Sequence, residues 1–262
     1  MTNIFDLTGK VALVTGGARS IGLALGIGLG QAGAVVCFNC TSEKSREEGL
    51  KAYEEAGIKA HGFVADVSDE TSVKKMVDEI RESVGVVDIL VNNAGINKRV
   101  PLAEMEVEDF TRVIGVDLIA PFIVSKAVLP GMLDKGHGKI INICSMMSEL
   151  GRPTVAAYAA AKGGLKMLTR NICAEYGGAN IQCNGLGPGY IATDLTAPLR
   201  ETQPDGTPHP FDRFIQERTP AGRWGSPKDL VGPVVFLASD ASDFVNGQVL
   251  YVDGGILAYL GK

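Results

Sequence analysis

Short, uniformly apolar runs alternate along this chain with longer stretches in which apolar positions return every three or four residues. The runs Val11–Thr15, Ala34–Asn39, Gly62–Ala65, Ile89–Asn92, Lys139–Cys144, Ile181–Asn184 and Gln248–Val252 predict buried strands. Helical spacing recurs at Ile21–Ala32, Glu43–Ala56, Thr71–Val84, Val107–Met132, Val155–Tyr176 and Lys228–Ala238. Strands without a polar face that alternate with helices belong in a parallel sheet covered on both sides. The pattern therefore predicts an α/β doubly wound sheet of seven parallel strands, one domain over residues 1–262. The least regular stretch, Tyr190–Gly225, carries Pro198, Pro204, Pro208, Pro210 and Pro220. Because it follows a strand end, it predicts a substrate lid around 190–225, the alternative being a surface excursion.

The first strand runs straight into Thr15-Gly16-Gly17-Ala18-Arg19-Ser20-Ile21-Gly22, and a helix follows at once. A glycine turn between strand and helix lets the backbone approach a pyrophosphate, and the helix N-terminus faces the charge. This is the nucleotide cradle of a Rossmann-type domain, with Ser20 where a middle glycine is common. An acidic residue at the tip of the second strand would hold ribose hydroxyls and select NAD. Here the tip reads Phe38-Asn39-Cys40-Thr41-Ser42, and Arg19 lies in the adjacent loop. A guanidinium beside Thr41 and Ser42 suits a 2′-phosphate, which favours NADP and leaves NAD possible, with Glu43 as a complication. Asp66 and Val67 follow the third strand and are placed to border the adenine. Asn93, Ala94 and Gly95 follow the fourth and are placed to border the ribose.

Composition narrows the function classes. Hydrophobic residues make up 45% of the chain, enough for a full core. The formal charge of −5, with no basic run, argues against nucleic acid. No apolar run is read as a membrane span. Five cysteines, an odd count, and a polar start without a secretory pattern predict a cytoplasmic protein. Cys37 and Cys40 form a CxxC inside a strand, where side chains three apart face opposite sides. No second ligand pair accompanies them, so no metal site is expected.

The chemistry centres on Tyr158 and Lys162, four apart on one helical face, and on Ser145, which ends the fifth strand. Oxidising a secondary alcohol needs a proton acceptor at the hydroxyl. Tyrosine is a poor base alone, but a neighbouring ammonium favours the phenolate. The serine hydroxyl can hold the reacting oxygen as charge shifts.

These motifs, together with Asn92–Gly95 (NNAG) and Gly187–Thr193 (GPGYIAT), resemble the short-chain dehydrogenase/reductase family over essentially the whole chain. The resemblance implies strand order 3-2-1-4-5-6-7 and Tyr158 as general base or acid. It implies Lys162 tuning the tyrosine and touching the nicotinamide ribose, and Ser145 orienting the carbonyl. It implies Pro188, Gly189, Ile191 and Thr193 beside the carboxamide, and a homotetramer packed partly through the helices at 107–132 and 155–176. The family often has asparagine where this chain has Asp117, a carboxylate that adds charge to the site.

The runs Ile140–Arg152, Tyr158–Thr169, Arg218–Gly225 and Ala241–Gly247 resemble the gluconate 5-dehydrogenases within that family. That resemblance implies reversible oxidation of D-gluconate at C5. A small sugar acid needs a cation for its carboxylate, and Arg152 and Arg99 follow the fifth and fourth strands. Arg99 reads equally as a solvated or interface arginine. Glu149 is expected either to bind a hydroxyl or to pair with Arg152, Met147 to wall the pocket, and His209 to lie on the surface. Rivals within the family are a 2-keto-3-deoxygluconate dehydrogenase and a 3-oxoacyl carrier-protein reductase. Outside it stands a catalytically silent NAD(P)H-binding sensor, disfavoured by the presence of all three reactive side chains.

Overall fold

The computed structural model describes residues 3–260. Seven strands, β1 (Val11–Val14), β2 (Val35–Cys40), β3 (Ala60–Val64), β4 (Ile89–Asn92), β5 (Gly138–Ile143), β6 (Ile181–Pro188) and β7 (Val249–Val252), form one sheet. Their order is β3-β2-β1-β4-β5-β6-β7 and every pairing is parallel, so all strands end on one edge. The central strands β1, β4, β5 and β6 are buried at every position, which is why their sequences lack a polar alternation.

The helices are α1 (Ser20–Gln31), α2 (Glu43–Glu55), α3 (Glu70–Ser83), α4 (Val107–Ile114), α5 (Ala120–Lys135), α6 (Ala156–Tyr176), α7 (Pro210–Arg218) and α8 (Val231–Ala238). On one face Leu13, Leu90 and Ile140 meet Val73, Ile80, Val124 and Ile172 of α3, α5 and α6. On the other Val14, Val91 and Ile141 meet Leu25, Leu29 and Val234 of α1 and α8. Cys37 belongs to the first layer, while Cys40 packs with Phe38 and Tyr53 on the opposite side. The CxxC is thus split across the sheet, and all five cysteines are free thiols.

Helix ends follow local chemistry. Ser42 opens α2 by accepting from the Ser45 amide at 3.2 Å, and Asp69 opens α3 by accepting from Thr71 at 2.8 Å. Gly136 closes α5 in the left-handed region.

Three expectations need correction. The helix expected at 107–132 is broken: Gly115–Ile119 form one π turn between α4 and α5, with Asp117 at its centre. The combined stretch Val107–Lys135 has 29 residues and is long and apolar enough to cross a membrane by length and composition. Half of its most apolar window is buried, against α3 and the strands β4 and β5. Finally, the stretch at 190–225 is less irregular than its prolines suggest. Pro210 occupies the first turn of α7, where a missing N–H costs nothing, and the His209 Nδ1 accepts from the Phe211 amide at 3.1 Å.

The glycine loop leans on this packing. Tyr53 of α2, fully buried, donates its hydroxyl to the Gly17 carbonyl at 3.0 Å. Tyr53→Phe leaves that carbonyl unpaired and should cost about 1–2 kcal/mol in urea denaturation. An unchanged midpoint would show that the loop finds another donor.

Candidate active site

The nucleotide loop is held by hydrogen bonds from three strand ends. Thr15 Oγ1 accepts from the amides of Asn93 and Ala94, both at 3.0 Å. The Asn93 side chain donates back to the carbonyls of Thr15 (2.9 Å) and Gly16 (3.2 Å). Asn39 accepts from the Gly16 amide at 3.2 Å and donates to the Ala65 carbonyl at 2.8 Å. Glycine is required by space as well as angle: Gly16 has φ +62°, and a Cβ on Gly22 would stand 2.4 Å from the Gly16 carbonyl oxygen. Ser20 opens α1 with φ +53°, a left-handed backbone that costs a serine on the order of 1 kcal/mol.

Arg19 and Ser20 are exposed beside this turn, Ile21 is half-buried, and Thr41 and Ser42 are exposed across from it. β2 carries no carboxylate, and Glu43, the first residue of α2, pairs with Arg46 at 2.7 Å. Asp66 spends its carboxylate on the amide (2.9 Å) and hydroxyl (2.6 Å) of Ser68, and Val67 is buried behind it. The residues present fit a dinucleotide: a turn that no Cβ could enter, a helix N-terminus and a solvent-facing arginine.

Ser145 leaves the end of β5 and caps a short turn, its Oγ accepting from the Met147 amide at 3.1 Å. Ser148 ties this turn to α6 by donating to the Lys162 carbonyl at 2.9 Å. On α6 Tyr158 is half-buried and Lys162 is buried, with the ammonium 5.5 Å from the tyrosine ring centre. Lys162 donates to the Ile143 carbonyl at 2.9 Å and stands 3.1 Å from Asp117 Oδ2. Asp117 is fully buried, and its other oxygen accepts from the Ile96 amide at 2.7 Å. Burial pushes the Asp117 carboxyl up, against the pull of Lys162 and the Ile96 amide. Burial alone would lower the Lys162 ammonium, but the negative charges of Tyr158 and Asp117 outweigh it and the net direction is upward.

At the end of β6 Pro188 is buried, and just beyond it the Gly189 amide donates to the Val252 carbonyl at 3.0 Å. Ile191 bridges to Gly225, and Thr193 opens a turn whose Arg200 donates back to the Thr193 carbonyl at 2.9 Å. The rings of Tyr190, Phe211 and Trp224 pack edge to face with centroids 5.6–6.0 Å apart. Arg152 reaches this cluster from the loop after β5: its guanidinium lies 4.5 Å from the Phe211 ring centre and donates to the Tyr190 hydroxyl at 3.3 Å. Glu149 does not pair with Arg152. Its carboxylate instead accepts from Lys166 and, at 2.6 Å, from the Tyr251 hydroxyl. Met147 is half-buried and Arg99 exposed.

A family model described as enoyl-(acyl carrier protein) reductase matches residues 16–257. The chain belongs to the short-chain dehydrogenase/reductase family. It is 56% identical over 261 residues to a 2-dehydro-3-deoxy-D-gluconate 5-dehydrogenase of Formosa agariphila, covering 99% of this chain and 97% of that one. It is 65% identical to the solved 2-keto-3-deoxy-D-gluconate dehydrogenase of Streptococcus agalactiae (TM-score 0.87, 98% and 97% covered). A gluconate 5-dehydrogenase of Burkholderia cenocepacia, solved with NADP and tartrate, is 45% identical with a TM-score of 0.91 and 98% of each chain covered.

Within this oxidoreductase, sequence reasoning missed a buried polar ladder under the site. Asn92 donates to Asn142 at 2.8 Å and to Ser125 at 3.1 Å, and Asn142 donates to Thr169 at 2.9 Å. Polar residues inside otherwise apolar runs were its only trace. Thr15, read from the sequence only as the start of the glycine loop, accepts the two amides at β4's exit. Thr15→Val should strand both amides and cost about 2 kcal/mol, while Thr15→Ser keeps most of the stability. Equal thermal midpoints for the two variants would refute the hub role.

Proposed function

We propose that this enzyme reversibly oxidises the C5 hydroxyl of D-gluconate to 5-keto-D-gluconate, with NADP as the favoured cofactor and NAD possible. The carrying observation is the placement of the Lys162 ammonium 5.5 Å from the Tyr158 ring, on a helix that the Ser145–Ser148 turn after β5 ties down through the Ser148 hydroxyl and the Lys162 carbonyl. When bound, NADP would take up or return the hydride. Gly16, Arg19, Ser20, Ile21, Gly22, Thr41, Ser42, Asp66, Val67, Asn93, Ala94, Gly95, Pro188, Gly189, Ile191 and Thr193 would hold it, with Tyr158 and Lys162. NADP rather than NAD is supported by the carboxylate-free tip of β2 and the exposed Arg19.

During oxidation Tyr158 accepts the C5 hydroxyl proton, and in reduction it returns that proton to the new alkoxide. Ser145, whose oxygen accepts from the Met147 amide, keeps its own hydroxyl hydrogen to donate to the same substrate oxygen as charge builds there. Lys162 stays fixed by the Ile143 carbonyl and keeps positive charge beside the tyrosine. Arg152, with no acid paired to it among the described residues, takes the substrate carboxylate, with Arg99 as a second cation and Met147 and Glu149 along the wall. The stretch at 190–225 serves as the lid, since Arg152 already grips its aromatic cluster.

A specific observation favours 2-dehydro-3-deoxy-D-gluconate as a second substrate: the Formosa relative named for it is 56% identical. Both acids present their C5 hydroxyl at the end far from the carboxylate, so one clamp and one proton acceptor suit either. We place the enzyme in the cytoplasm as a homotetramer. Ile119, Phe122 and Met167 support that assembly, being 47%, 50% and 57% exposed on the outer helices.

NADPH consumption with 5-keto-D-gluconate tests the substrate directly; turnover of other carbonyl compounds but neither sugar acid would defeat the proposal. Tyr158→Phe should lower kcat by roughly 10²–10⁴-fold with cofactor Kd nearly unchanged. Arg152→Ala should raise KM for gluconate about tenfold or more, and an unchanged KM would move the clamp to Arg99. Light scattering should give a mass of four 27.6 kDa chains.

A further inference from the structure

The buried carboxylate of Asp117 has one neighbour of opposite charge, and it is the lysine beside the reacting tyrosine. Three elements hold it there. The π turn Gly115–Ile119 swings it inward, the Ile96 amide binds Oδ1 at 2.7 Å, and Gly95 leaves it room, since a Cβ there would lie 2.8 Å from Oδ2. Oδ2 is buried, makes no hydrogen bond among the described residues, and faces the Lys162 ammonium at 3.1 Å. The ionisable groups packed around the pair, among the described residues, are Tyr158 on α6 and Cys144 after β5. Cys144, its thiol pushed up to about 11 by burial, is neutral at working pH. Tyr158 therefore senses a lysine whose charge is partly cancelled from behind.

We propose that Asp117 is a positioning residue that locks the Lys162 ammonium and sets the working pH of Tyr158, through a buried carboxylate–ammonium pair. The argument deepens the assignment of Tyr158 as proton acceptor made above and rests on it. A fixed negative charge next to the ammonium reduces the positive potential at the tyrosine, because buried charges are poorly screened. The enzyme then reaches full proton-accepting capacity at a higher pH than it would with a lone lysine. A carboxylate that only filled space would leave that pH unchanged.

The decisive variant is Asp117→Asn, which keeps the shape, the acceptor for Ile96 and the volume while removing the charge. The acid limb of its kcat/KM profile for gluconate oxidation should move down by about one pH unit. The tyrosinate ultraviolet absorbance reads the same group without substrate or turnover, as the difference between each protein and its Tyr158→Phe counterpart. That transition should fall at lower pH in the Asp117→Asn background. If it shifts although gluconate is not turned over, the charge role stands and the substrate assignment falls. If neither the transition nor the acid limb moves, the proposal is overturned, and loss of kcat alone with an unmoved transition overturns it too. Should Asp117→Asn fold poorly, Asp117→Ser removes the same charge with a smaller polar side chain, and a wild-type transition in that variant would also count against the role.

Discussion

A sheet whose strands all run the same way can present only one edge of strand ends, and that constraint organises the molecule. The loops assigned to the proposed site leave that edge: the glycine turn after β1, Asn93–Gly95 after β4, Ser145 after β5 and Gly189–Thr193 after β6. Parallel strands must be joined by crossovers, so these loops come from distant parts of the chain yet meet over one surface. The apolar layers on both faces fix the strands, and the strand ends inherit that rigidity. Pre-positioned groups of this kind need little reorganisation when charge shifts between them.

Below the edge, the site is anchored by polar groups in a dry interior. The Asn92–Asn142–Thr169 ladder ties β4, β5 and α6 together, and the Asp117–Lys162 pair ties the π turn to α6. Such groups are costly to bury, and their directional bonds favour one arrangement of these four elements.

Most of the sheet was legible in the sequence because a fully buried strand leaves an unmistakable apolar run. The glycine turn, Ser145, Tyr158 and Lys162 were legible for a similar reason: their spacing is local, and four residues on a helix place two side chains on one face. What escaped depended on distant partners. Glu149 could not be matched to Tyr251, 102 residues away, and the nearer Arg152 looked the better mate. The π turn is invisible to a periodicity that differs from the α-helix by one residue in one turn. Helix α7 was hidden by the proline that starts it, since the same residue that breaks a helix inside is well suited to its first position.

The bonds that shape the nucleotide turn also carry a consequence for how the chain comes into being. Thr15 is satisfied by amides 78 and 79 residues further on, and Gly16 by an asparagine 23 residues on. A ribosome that has emitted only β1 and α1 has made the sequence of the cradle but not the cradle itself, since strained Ser20 and the open glycines have nothing to hold them. The turn therefore takes the shape described above only once β4 has docked beside β1, because the amides that Thr15 accepts come from the exit of β4.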